Sequence, residues 1–173
     1  MWNPEKQIEF EENIGDLLNR KDVQQMDCFQ QHAQGISCLD HCIFVAYLSF
    51  IICRRFGMDY RSAARAALMH DMYLCDWSRT DIGRWKRLFI HPELALKNAA
   101  EAYALSDLEK DIIVNHMWPL TPRKIPRSRE AIVVNFADKV CATAEMLRIY
   151  RLIKVGDGLL SFNRRKFAMQ MAG

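Results

Sequence analysis

The run ARAALMHDMYL, from Ala64 to Leu74, decides how this chain is to be read. Counted at helical spacing, Ala63, Ala66, Ala67 and Leu74 fall on the same side as His70, so the run predicts a helix that turns His70 toward the core. Asp71, one residue on, is rotated by about 100° and comes to the edge of that face, where a carboxylate is costly unless something cationic meets it. A metal ion is the simplest such partner. A single His-Asp pair is more often a hydrogen-bonded polar group of the core, so metal binding has to be argued from the rest of the chain.

Upstream, Ser37 followed by Asp40 has the form of a capping box and opens a helix that runs through CIFVAYLSFIIC to Phe56 and stops at Gly57. On that helix His41 shares a face with Cys38, Val45 and Leu48 and points inward. Asp59 is placed to cap the helix that carries the His-Asp pair. Before these, Pro4 to Arg20 holds Ile8, Phe10, Ile14, Leu17 and Leu18 at helical spacing, and a polar connector follows from Lys21 to Gly35. His32, within the connector, is assigned no role.

Downstream, DWSRTDIGRWKRLFI, Asp76 to Ile90, has no clear period and reads as a long loop. It ends at His91-Pro92, where the proline favours the first turn of a helix, PELALKNAAEAYA, and leaves His91 at or just before its start. Ser106 and Glu109 form a second capping box for SDLEKDIIVNHM, with His116 in the last turn beside Ile112 and Ile113. The proline-rich WPLTPRKIPRS cannot be helical. A late helix, about Ser128 to Lys154, places Asp138 among Val134, Cys141 and Ala142, and a short basic helix is expected after the break at Gly156 to Gly158. No stretch has the pattern of a strand. The expectation is an all-α, single-domain bundle of about six to eight helices: an N-terminal helix and connector over 1–36, a core over 37–155, and a C-terminal helix over 156–173 that belongs to the same domain.

The 173 residues are half hydrophobic and carry 24 basic and 21 acidic side chains, interspersed, for a net charge of +3. That is far from the one-sided excess of an electrostatic nucleic-acid binder, so no nucleic-acid partner is expected. The six cysteines, Cys28, Cys38, Cys42, Cys53, Cys75 and Cys141, form no C-x-x-C pair and sit in apolar helical contexts, as reduced thiols do. The apolar run from Cys42 to Cys53 is too short to span a bilayer, and MWNPEKQIEFEE lacks the basic-then-apolar order of a signal peptide. A cytoplasmic protein without membrane contact is expected.

His41, His70, Asp71, His91, His116 and Asp138 thus fall on inward or core-mouth positions of separate helices. Six polar groups without helical-spaced lysine or arginine partners would burden a small core, and metal coordination satisfies all of them together. In this order, H then HD then H then H then D, the chain from about Ser37 to Ala144 resembles the HD superfamily of metal-dependent phosphohydrolases, in its variant with two extra histidines for a second metal. The resemblance implies that His41, His70, Asp71 and Asp138 bind one metal and that Asp71 bridges to a second held by His91 and His116, Asp71 being the catalytic carboxylate. Imidazole with carboxylate suits one or two divalent ions of Fe, Mn, Zn, Ni or Co without choosing among them.

The chemistry so implied is attack on phosphorus by a metal-activated hydroxide, on a phosphomonoester or phosphodiester of a nucleotide or similar small compound. Lys139, Arg84, Lys86, Arg87 and the basic loop Arg123 to Arg127 are the candidates for substrate phosphate, and Trp85 or Trp118 for stacking on a base. Met72-Tyr73 after the pair, with no Ile-Gly and no nearby Glu-Asp, speaks against guanosine-alarmone hydrolysis. MWPL after His116, in place of Gly-Tyr-Pro, speaks against cyclic di-GMP hydrolysis. The compact layout looks most similar to small bacterial dinucleoside-polyphosphate hydrolases. Two alternatives share the scaffold: a di-iron oxygenase, and a regulatory or binding module without catalysis. A homodimer is compatible with the sequence.

Overall fold

A computed structural model describes residues 4–31 and 35–147, apart from the side chains of Pro4, Ser78 and Arg84. His32, the late helix beyond Leu147 and the expected C-terminal helix lie outside the described residues. Within them the chain forms seven α-helices: α1 (Pro4–Leu18), α2 (Lys21–Gln25), α3 (Cys38–Arg55), α4 (Tyr60–Met69), α5 (Arg84–Ala102), α6 (Asp107–Asn115) and α7 (Arg129–Met146). Single 3-10 turns occupy Met26–Cys28 and Trp77–Arg79. No strand occurs among the described residues, only an isolated antiparallel bridge between Gln30 and Ser37. The fold is all-α.

The bundle is built around α3, which packs on α4 and α7, while α6 closes the other side against α4, α5 and α7. Close approach to α4 is possible because four of its six buried residues are Ala63, Ala64, Ala66 and Ala67, whose methyl groups hold neighbouring helices only a short distance away. Helix α1 lies across α4 and buries Phe10, Ile14 and Leu17 completely or nearly so. Phe10 meets Tyr47 edge-on at 5.2 Å and Phe50 at 5.5 Å, joining α1 to α3. Burying side chains of this size contributes about 1.5–3 kcal/mol each.

The helix boundaries follow local chemistry where the chain supplies it. Both capping boxes form, Ser37 with Asp40 and Ser106 with Glu109, and Asp59 accepts the Ser62 amide at the start of α4. Helix α3 ends in a Schellman motif: Met58 N–H donates to the Cys53 carbonyl at 2.9 Å, and Gly57 takes φ +64, which a side chain would resist. All six cysteines are free thiols, and no described helix is long and apolar enough to cross a membrane.

Three expectations are corrected. The helix expected through Leu74 stops at Met69; His70 is its C-cap, and the chain then leaves through Leu74 at φ +47. The His70 ring takes the Ala67 carbonyl at 2.7 Å, a partner that one more turn would have supplied, so the helix can end and free Asp71 to turn inward. Second, α5 starts at Arg84, so the loop is shorter than expected and His91 lies inside the helix with Pro92 after it. Pro92 is buried, and the apolar contacts of its helix outweigh the one lost backbone hydrogen bond. Third, the connector contains α2 and a 3-10 turn, fastened by buried Val23 and Met26.

Candidate metal centre

Five segments converge on one buried point. His41 stands in the first turn of α3, His70 and Asp71 at the end of α4, His91 in α5, His116 at the end of α6, and Asp138 in α7. All six are buried or nearly so, Asp71 and Asp138 retaining 5% and 7% of their surface. His41, His70 and Asp138 bring ligand atoms within 4.8 Å of one another, as do His70, Asp71 and His116. His91 joins the second group, its Nε2 lying 3.4 Å from Asp71 Oδ1.

Two helices present their histidines by the same device. His70 and His116 are the C-caps of α4 and α6, and each ring donates Nδ1–H to the carbonyl three residues back, Ala67 or Ile113, at 2.7 Å. His91 donates Nδ1–H to the Arg87 carbonyl at 2.9 Å. A carbonyl only accepts, so Nδ1 carries the proton in all three rings and Nε2 faces the centre as a bare lone pair.

The atoms left facing one another fit a metal ion and little else. His91 Nε2 and His116 Nε2 stand 2.9 Å apart, two lone pairs that repel unless a cation lies between or beside them. Asp71 Oδ1 is 3.4 and 3.6 Å from these two nitrogens, and neither it nor His70 Nε2 has a hydrogen-bond partner among the described residues. On the other side, Asp138 Oδ1 lies 3.1 Å from His41 Nε2 and 3.7 Å from His70 Nε2. Donors sharing one tetrahedral ion at bonds near 2.1 Å sit about 3.4 Å apart, so both groups have coordination spacing. Buried imidazole nitrogens and carboxylate oxygens converging at that spacing have the donor chemistry of a divalent metal site.

The electrostatics agree. Burial pushes the Asp71 and Asp138 carboxyls up, but the surrounding imidazoles outweigh it and hold both below the usual carboxylate range. Burial, together with the neighbouring His70 and His91, drives His116 down to about 3, which keeps it neutral and able to ligate. Burial also lowers His41, yet its hydrogen bonds to the Asp138 and Glu145 carboxylates raise it well above its ordinary value.

Of the side chains assigned to substrate, Lys139 reaches the cluster: its ammonium donates to the His116 carbonyl at 2.6 Å and to Asp138 Oδ2 at 3.3 Å. Trp118 lies beside it, exposed on the rim, its carbonyl held by Asn135. Lys86 and Trp85 stand exposed on the first turn of α5, and Arg84 opens that helix with its side chain outside the described set. Arg87 is committed to the loop, donating to the Ile82 and Trp77 carbonyls at 2.7 and 2.8 Å. Lys124 pairs with Glu93, away from the cluster.

Two contributors escape a sequence reading. Gln31 donates to Asp71 Oδ2 and accepts from the Tyr73 hydroxyl at 2.9 Å, and nothing in a polar connector marks it for that task. Glu145 accepts from His41 Nδ1 at 2.8 Å and is 1% exposed. Its signal was available: it stands seven residues after Asp138, two turns on along the same face of α7.

An all-α scaffold whose buried core carries His/Asp clusters of metal-ligating type, one of them the adjacent pair His70-Asp71, defines the class of this protein. The chain belongs to the HD domain family, whose model matches residues 38–143, from the start of α3 to near the end of α7. No curated protein and no solved structure matches it significantly.

Proposed function

We propose that this protein is a metal-dependent phosphohydrolase that cleaves a phosphomonoester or phosphodiester of a nucleotide or comparable small compound. The observation that carries the reading is the meeting of His91 Nε2, His116 Nε2 and Asp71 Oδ1 beside the His41, His70 and Asp138 group. Family membership supports the hydrolytic direction. Divalent ions bound there would supply Lewis acidity toward phosphoryl oxygens and lower the pKa of a water.

The chain's own residues do the rest. Asp71 directs Oδ1 toward His91 and His116 and Oδ2 toward His70 and Gln31, an orientation that would let it hold ions in both groups. Gln31, itself oriented by Tyr73, holds that carboxylate in register. Lys139 keeps its ammonium at the edge of the centre, about a third exposed, so a remaining N–H is free to meet a phosphoryl oxygen. Trp118 on the rim offers a flat face to a base. The recessed position of the carboxylates suits a small ester better than a duplex, and the dispersed net charge of +3 agrees.

Elemental analysis of the purified protein, paired with hydrolysis of bis(p-nitrophenyl) phosphate and a panel of nucleotides including dinucleoside polyphosphates, tests the reading. About two transition-metal equivalents and turnover abolished by chelation are expected. Metal bound with no turnover on any ester would remove the hydrolase reading and leave a binding module; a coloured, oxygen-consuming protein would replace it with di-iron oxidation.

A further inference from the structure

We propose that Glu145 is a positioning residue of the metal centre: it holds His41 in the Nδ1–H tautomer and strengthens Nε2 as a ligand. The inference rests on the metal reading above, though not on phosphate ester hydrolysis. Its starting point is an asymmetry among the four histidines. His70, His91 and His116 each anchor Nδ1 on a neutral carbonyl of their own helix. His41 alone is anchored by a charged side chain, brought from α7, 104 residues away in sequence.

The helix geometry explains why. Unbonded carbonyls occur at helix C-termini, where His70 and His116 sit, and His91 has two turns of α5 before it, so its ring reaches the Arg87 carbonyl one turn back. His41 stands in the first turn of α3, where the carbonyls behind it are already engaged, its own amide bonding Ser37 O at 3.1 Å. A partner must come from elsewhere, and α7 supplies two. Asp138 and Glu145, seven residues apart, face the same way and grip the ring from both sides, Oδ1 at 3.1 Å from Nε2 and Oε1 at 2.8 Å from Nδ1. Only the Nε2 side adjoins the other ligands, so Asp138 is the co-ligand and Glu145 the orienter. A carboxylate behind a ligating imidazole fixes its tautomer and ring plane and raises its basicity.

The test is titration of the metal-free full-length protein with Co2+, reading bound cobalt by equilibrium dialysis and ligand geometry by d–d absorption. Glu145→Gln preserves shape and removes the charge. Expected are unchanged helical circular dichroism, a 10- to 100-fold weaker affinity for one of two cobalt ions with an altered spectrum for that ion, and partial recovery in Glu145→Asp. Wild-type affinity and spectrum in Glu145→Gln would overturn the inference while leaving the metal centre intact. No cobalt uptake by the wild type would overturn both this inference and the metal reading, whereas tight cobalt binding without ester hydrolysis would sink only the hydrolase. Should Glu145→Gln fail to fold, long-range proton–nitrogen NMR of His41 in the cobalt-free, zinc-loaded wild type decides: a proton on Nδ1 supports the inference, and one on Nε2 overturns it.

Discussion

At the scale of single residues, Asp71 is the group with the most neighbours to answer to. It is the one carboxylate close to both histidine pairs, with His91 and His116 on Oδ1 and His70 on Oδ2. Asp71→Ala should release both metals and lower turnover about a thousandfold or more, since ligation and charge neutralisation fail together. Metal analysis beside a kinetic assay checks it; full activity with full metal content would show that the assignment is wrong. His116→Ala should be milder, emptying the subsite shared with His91 and leaving the other. The residue scale also shows where sequence reading is strong. His41, His70, His116 and Asp138 were visible as polar side chains at apolar helical positions, because burial of a charge without a partner is costly enough to be a signal by itself, whereas His91 was read at the mouth of a loop. Gln31 gave none, being a polar residue in a polar connector whose role is made by a contact with Asp71 40 residues away.

At the scale of elements, the caps and clamps that orient the ligand-bearing helices carry measurable energy. Ser37 accepts the Asp40 amide at 3.1 Å and sets the start of α3, one turn before His41. Ser37→Ala should cost about 1 kcal/mol of stability, and Ser37→Thr should recover most of it, as read by urea unfolding. Helix α1 is tied to α4 by Arg65, whose two nitrogens reach Asp16 at 2.6 and 2.9 Å. The hydrogen bond from the Arg65 guanidinium lowers the Asp16 carboxyl, against a smaller upward push from burial. A carboxyl whose folded pKa is depressed contributes stability that is present above its unfolded value, near 3.8, and is lost as pH falls through the folded value. Asp16→Asn should therefore lose stability at pH 7, by no more than about 1 kcal/mol because Asp16 is largely exposed, and the gap from wild type should close in acid. A gap that stayed constant from pH 7 to pH 3 would exclude the ion pair as its origin. The misplaced start of α5 belongs to this scale too. Proline after a polar stretch is a sound start signal, and only the burial of Pro92 against the bundle explains how the helix runs through it.

At the scale of the whole molecule, the helix that precedes the family-matched region is part of the same core. Phe10 is fully buried between Tyr47 and Phe50, and Phe50 in turn meets Tyr60 at 5.3 Å, so the aromatic cluster joins α1 to α3 and α4, two of the five helices that carry ligand candidates. Phe10→Ala should cost about 3–5 kcal/mol and lower the melting temperature by roughly 10 °C or more. It should weaken metal retention as well, because the packing of α3 on α4 that brings His41 and His70 together loosens; an unchanged melting curve would show α1 to be an appendage. What the sequence determined by itself is the all-helical class, the capped starts of α3, α4 and α6, and the set of histidines and aspartates that face inward, since period, caps and unpartnered buried charge are local properties. What only the tertiary structure decided is where α4 stops, how α5 passes Pro92, and that Glu145 and Gln31 stand behind His41 and Asp71. The helix ends and the passage through Pro92 depend on how the elements bury one another, and the last two on hydrogen bonds spanning 40 and 104 residues, whose energies no local pattern contains.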